Sequence, residues 1–166
     1  MAQLCMAQFL SELLEQVIER EQQDLLTLPE SSAGIRPGGE RTWSPKEELG
    51  HLIDSAINNH VRFVCASIAP EFHGDPYAQN DWVTAHGYHE MRWLKIVDLW
   101  QHYNAHLVLL LQRIPDSKLD TPCVVGSAEP MTLRSLVEDY VLHMQHHLDH
   151  LLGREVVTQY PPRPRV

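Results

Sequence analysis

Apolar positions recur at three and four along four stretches of the chain, with prolines and glycines gathered between them. This is the spacing of helices that bury one face. In the first stretch Leu10, Leu13, Leu14, Val17, Ile18 and Leu25 form the stripe, surrounded by Glu12, Glu15, Glu19 and Glu21. It stops before Pro29, and "PESSAGIRPGGERT" collects loop residues that continue no regular element. The second stretch has the clearest start: Ser44, Pro45 and Glu47 in "SPKE" make a capping box with proline at the first helical position. It runs through Leu49, Leu52, Ile53, Ala56, Ile57, His60, Val61 and Val64 to Ile68, and Pro70 closes it.

From Glu71 to His86, "EFHGDPYAQNDWVTAH" is polar and aromatic without period, a loop long enough to shape a site. The third helix is expected from Tyr88 to Ile114, with Trp93, Val97, Trp100, Tyr103, Leu107, Leu110, Leu111 and Ile114 on one stripe; at 1.5 Å per residue it would span about 40 Å. Another loop, "PDSKLDTPCVVGSAEP", precedes a fourth helix from Thr132 to a C-terminal cap at Gly153. No stretch carries a strand signal. The pattern predicts an all-α protein, a four-helix bundle over residues 1–153 with long crossover connections. Residues 154–166 form a proline-rich tail, either loose or laid across the surface.

The length of 166 residues suits one domain with one core, and 43% apolar residues are enough to build it. A net charge of -9, with lysines and arginines scattered, argues against nucleic acid as a partner. The longest apolar run, in "AHLVLLLQRI", is too short for a membrane span, and the opening residues lack a secretory leader, so the expected location is the cytoplasm. Cys5, Cys65 and Cys123 are odd in number and lack CxxC spacing, which argues against a disulfide framework or a zinc ribbon. They read as buried or half-buried small residues. Cys123, in a polar stretch, is the one candidate thiol, with no motif behind it.

Candidate chemistry lies in the histidines. Eleven are present, and four of them fall in "DYVLHMQHHLDHLL" on the fourth helix. His143 and His147 are four apart, roughly 40° in projection, close to the apolar centre set by Leu133, Tyr140, Met144 and Leu151. Neutral imidazoles at that spacing suit a divalent metal. The same spacing also arises in half-buried histidines that only bond a carbonyl, so the pair alone leaves both readings open. His146 projects outward as a surface residue. His150 falls between His143 and His146, either flanking a site or solvated at the bundle's end. On the second helix His60 sits in the apolar arc, as a satisfied core histidine would. His51 points the other way, among Glu48, Asp54, Ser55 and Asn58, to the surface or to a polar cleft between helices.

Two motifs, "TWSPKEELGHLIDS" at 42–55 and "MTLRSLVEDYVLHMQHHLDHLL" at 131–152, together with four helices and long connections, resemble the DinB/YfiT-like metalloenzyme family. The resemblance implies a helix introduced by a "WS" capping turn whose "HL" supplies one ligand, here His51. It also implies a C-terminal helix supplying two more, His143 and His147. Where members of the family often carry glutamine, this chain has His150. A small-molecule substrate, a low-molecular-weight thiol and a homodimer are further implications of the resemblance.

Three neutral histidines with an open position belong to a catalytic rather than a structural site, and the ion they hold keeps its full charge as a Lewis acid. Thiol-dependent S-transfer and hydrolysis both fit. Zinc or nickel is expected first, with iron or manganese also compatible with a three-nitrogen site. Asp54 and Glu48, with His150, are the candidate helpers for proton transfer, each also readable as a solvated side chain, as most carboxylates on helices are. Tyr77 and Trp82 would wall the substrate pocket or merely cover the bundle's end. The competing reading is a non-catalytic bundle, serving as a dimerisation module or as a sensor of metal or small ligand.

Overall fold

A computed structural model of the chain describes residues 5–38, 43–156, 158 and 160. The helices run in the order α1 (Met6–Thr27), α2 (Glu30–Ala33), α3 (Pro45–Ile68), α4 (Gln79–His86), α5 (Trp93–Leu111) and α6 (Leu133–Leu151). The long ones, α1, α3, α5 and α6, are the four that periodicity predicts. α3 starts where its capping box requires: Ser44 Oγ accepts the Glu47 N–H at 3.4 Å, and Glu47 Oε2 accepts the Ser44 N–H at 2.8 Å. α6 opens on Thr132, whose hydroxyl accepts the Ser135 N–H at 3.1 Å, and Gly153 follows its end at φ 67°.

Three expectations need correction. α5 begins at Trp93, not Tyr88, and with 19 residues spans about 28 Å rather than about 40 Å. Tyr88–Glu90 is a separate 3-10 turn, and Arg92 is extended. The Trp93 N–H is satisfied by the Glu30 carboxylate at 2.8 Å, so a side chain from α2 supplies the cap. Nor are the connections all irregular. The first contains the single turn α2, and the 71–86 stretch folds as β1 (Phe72–Gly74) and α4. With β2 (Pro122–Val125) and β3 (Met131–Thr132), β1 makes a small sheet of order β1-β2-β3. β1 runs parallel to β2, pairing Phe72 with Cys123 and Gly74 with Val125, while β3 is antiparallel, pairing Cys123 with Met131. Strands of two to four residues are too short for period-two alternation to show in sequence.

In the bundle α1 packs on α5, α5 on α3, α3 on α6 and α6 back on α1. Consecutive long helices α1 and α3 therefore stand on a diagonal, as do α5 and α6. That is why the connections after α1 and α5 must cross the bundle, and the sheet ties two of the long connections together. The α1–α5 seam is apolar: Leu10, Leu14, Val17 and Leu25 share one continuous core with Trp93, Ile96, Val97 and Trp100. The Trp93 indole N–H donates to the Leu25 carbonyl at 2.7 Å, so its single polar group is satisfied as the ring is buried.

The described part of the tail lies across the surface. Arg154 bonds Glu21 at 2.6 Å and also Asp24 on α1, and it stands 3.8 Å from Asp149 on α6. Thr158 and Tyr160 come down beside His146 and Asp139. Residues 157, 159 and 161–166 of the expected tail lie outside the described residues. Among the described residues, no helix is long and apolar enough to cross a membrane.

Candidate metal centre

The site forms in the α3–α6 seam. The first turn of α3 is held from outside: Glu47 also accepts from Arg36 at 3.0 and 2.5 Å, and Lys46 pairs with Glu30 at 2.5 Å. The Arg36 guanidinium, with Ser44, holds the Glu47 carboxyl down at about 2 despite its burial. His51 lies one turn further along this anchored helix and is completely buried. Its polar flank thus lines a cleft between helices and does not face the surface.

Across the seam α6 presents His143 and His147. The His51 and His143 Nε2 atoms are 3.1 Å apart, and ring centroids separate by 5.1 Å for His51 to His143, 4.8 Å for His51 to His147 and 4.5 Å for His143 to His147. One ligand nitrogen from each ring lies within 4.8 Å of the others. Nitrogens around a tetrahedral zinc, at about 2.1 Å from the ion, stand about 3.4 Å apart, so the spacing is of the right scale. The opposite ring edges are held by neighbours. Glu48 Oε1 lies 3.1 Å from His147 Nδ1, and the Ser55 hydroxyl lies 3.5 Å from His143 Nδ1. Asn59 in turn donates to the Ser55 carbonyl and hydroxyl. Bonding at Nδ1 turns Nε2 toward the shared point, the arrangement in which a carboxylate orients a metal-binding imidazole.

Aromatic rings close the surroundings. Trp43 lies 4.9 Å from His51, Tyr77 lies 6.5 Å from it at 26°, and Tyr160 of the tail lies 5.3 Å from His143. These rings line the cleft with apolar surface, while His147 keeps part of its side chain exposed.

A model of the DinB superfamily matches residues 13–151. The chain belongs to the DinB superfamily. Among solved structures this superfamily member is similar to YfiT from Bacillus subtilis, a probable metal-dependent hydrolase with an unusual four-helix bundle topology. The two share 22% identity and a TM-score of 0.77 over 89% of this chain and 84% of that one. It is also similar to a mycothiol-dependent maleylpyruvate isomerase, at 12% identity and a TM-score of 0.70, covering 95% of this chain and 64% of that one. At these identities the likeness establishes a shared fold. No curated protein matches the chain.

As a DinB-superfamily bundle, the molecule brings His51, His143 and His147 together and sorts the other candidates. His143 is the more buried of the α6 pair, although by helical projection His147 lies nearer the apolar centre, because Tyr160 and α3 cover its side. His146 is half-buried rather than a surface residue: Thr158 lies 3.4 Å from its Nδ1, and burial with the neighbouring His147 lowers its pKa. His150 stands 3.7 Å from Glu48, which forms a second candidate group with His147 and His150. Neither Glu48 nor Asp54 is a solvated side chain, since both are buried. His60 is half-buried on the far side, 2.9 Å from the Tyr103 hydroxyl. Tyr77 does stand by the site, with Trp82 5.1 Å behind it. Cys123 is buried in β2 with its thiol pKa raised by burial, which removes it as an activated thiol, and Cys5 is exposed rather than buried.

Sequence reasoning missed His86 and Tyr88. The signals present were Gly87, a cap residue directly after His86, and Gly50, an unexpected glycine inside a strong helix. Gly87 takes φ 64° to end α4. A Cβ at Gly50 would lie 2.2 Å from the Tyr88 ring, so glycine there lets that ring rest against α3 next to His51.

Proposed function

We propose that this protein is a metal-dependent enzyme in which His51, His143 and His147 hold one divalent cation and act on a small molecule by thiol-dependent transfer or hydrolysis. The observation that carries this reading is the convergence of three imidazoles, with Glu48 and Ser55 at the outer nitrogens of two of them. When bound, the ion supplies Lewis acidity and favours the deprotonated form of a water or thiol. The chain's own residues do the rest. Glu48 orients His147, Ser55 steadies His143, and Trp43 and Tyr77 line the cleft with apolar surface. Zinc or nickel suits the all-nitrogen donor set, with iron or manganese as further members of the series. The likeness to a mycothiol-dependent enzyme supports a low-molecular-weight thiol as co-reactant. A cytoplasmic homodimer without nucleic-acid or membrane partners completes the reading.

Metal analysis of protein purified without a histidine tag tests it. The expected result is about one equivalent of a divalent ion per chain, lost in the His51→Ala/His143→Ala/His147→Ala variant while the helical circular dichroism persists. A wild-type protein that folds and takes up no zinc or nickel on reconstitution overturns the reading.

A further inference from the structure

Beside the three histidines, and distinct from them, lies a second polar cluster built by three elements. Asp54 of α3 is completely buried. Its Oδ1 accepts from the Tyr88 hydroxyl at 2.7 Å and stands 2.9 Å from His86 Nδ1. Its Oδ2 is buried with no hydrogen-bond partner among the described residues. Burial raises the Asp54 pKa, and the Tyr88 and His86 contacts oppose that rise. The position of His86 is set by regular structure: it is the last residue of α4, and the Gly87 N–H that ends the helix bonds the Val83 and Thr84 carbonyls.

We propose that His86, held through Nδ1 by the buried Asp54 carboxylate, is the proton-transfer group that serves the three-histidine site. This rests on the metal-enzyme reading above. A carboxylate at Nδ1 assigns the proton to that nitrogen and leaves the lone pair on Nε2, as in an aspartate-oriented general base. The His86 side chain is 44% exposed, so the ring is accessible while its anchor is not. Asp54 follows His51 by three residues on the same helix, a rise of about 4.5 Å. A row of rings joins the two places: His51 to Tyr77 at 6.5 Å, Tyr77 to Trp82 at 5.1 Å, and Trp82 to His86 at 5.9 Å. A substrate lying along that row would place its electrophilic carbon between the metal-site histidines and His86, within reach of both. The His60–Tyr103–His106 cluster on the α3–α5 seam offers a hydroxyl and a second imidazole in place of the carboxylate.

The step balances. As the oxygen of water or the sulfur of a thiol bonds to the substrate carbon, its proton passes to His86 Nε2, and Asp54 offsets the imidazolium charge. When the bond to the leaving group breaks, the same proton passes to that group, and His86 returns to its starting state. Asp54 and Tyr88 act through His86 as positioning residues.

Diethyl pyrocarbonate, an electrophile that acylates the neutral imidazole nitrogen, reads the activation of His86 directly. In mildly alkaline buffer, peptide mapping of the zinc-loaded protein should show His86 modified about threefold or more faster than the exposed His73, whose own Nε2 stands 3.8 Å from the Glu71 carboxylate, because the Asp54 bond at Nδ1 fixes the His86 Nε2 lone pair outward. In Asp54→Asn the rate should fall to that of His73, and in Tyr88→Phe, which leaves the Asp54–His86 bond intact, it should stay high. With para-nitrophenyl acetate as probe, zinc-loaded His86→Ala should lose about 10²-fold in turnover and recover with added imidazole. A folded protein in which His86 reacts no faster than His73, or in which Asp54→Asn changes nothing, overturns the proposal, as does unchanged turnover in His86→Ala. Zinc content is measured on the same samples. Fast, Asp54-dependent modification in a protein that binds no zinc would overturn the metal reading alone.

Discussion

The α1–α5 and α3–α6 seams belong to one bundle and are built on opposite principles. Along α1–α5 the buried groups are mainly apolar, Leu10, Leu14, Val17 and Leu25 with Trp93, Ile96, Val97 and Trp100, and the buried polar ones are few: Ser11 and Glu21 on α1 and Asn104 on α5. Along α3, facing α6, the buried groups include Glu48, His51, Ser55 and Asn59, with His143 opposite and Asp54 buried alongside against Tyr88 and His86. Apolar contacts are interchangeable in kind and stabilise in proportion to area and fit. Buried polar groups are not, because each is tolerated only while its partners stand at hydrogen-bond distance. The dry seam therefore supplies stability, which the wet seam draws on to keep a costly cluster in place.

The largest expected effect lies in the dry seam. Trp93→Ala should cost about 3–5 kcal/mol of stability by urea unfolding, because it empties a fully buried site and leaves the Leu25 carbonyl without its donor. A loss below that of the wet-seam variants would break the distinction. The next effect lies in the wet seam and should be read in metal affinity. Glu48→Gln keeps the shape but removes the charge at His147 Nδ1, and should weaken metal binding by about 10- to 100-fold in a chelator competition. Unchanged affinity would make Glu48 a merely structural group.

The smallest effect lies at the entrance to the wet seam and depends on pH. The Glu47 carboxyl titrates at about 2 in the folded chain against an ordinary 4.5, Arg36 being the main cause. A lowered folded pKa means that its contribution is present above pH 4.5 and is lost as pH falls through about 2. Arg36 is more than half exposed, so solvent screens the pair and the contribution is small. Urea midpoints between neutral and acid pH should therefore fall more steeply for the wild type than for Arg36→Ala. Parallel curves would remove that anchor from the account.

How much of this was legible depended on whether the signal was local. The four long helices repeat one apolar period over many turns, and Ser44 and Thr132 lie where caps are written in side chains. Their positions could be read directly, as could the His143–His147 spacing. α4 is eight residues long with only Val83 buried, so it carried too little period to be seen. The strands were shorter still. Helix α5 was overextended because its true start depends on Glu30, which is 63 residues away in sequence.

What the sequence determined by itself is therefore the set of long helices, the apolar faces of α1, α5 and α6, and the pair of histidines one turn apart on α6; on α3 the expected Val61 is exposed and the polar flank is buried instead. Whether His51 faced water or a cleft, which α6 histidine lay deeper, and whether Asp54 met His86 were decided only in three dimensions. The reason is physical. Periodicity records the partition of one helix between water and core, whereas a site is made by the diagonal connections that set α3 against α6 and by the close approach of Tyr88 to Gly50. Those contacts join residues whose separation along the chain leaves no period to read.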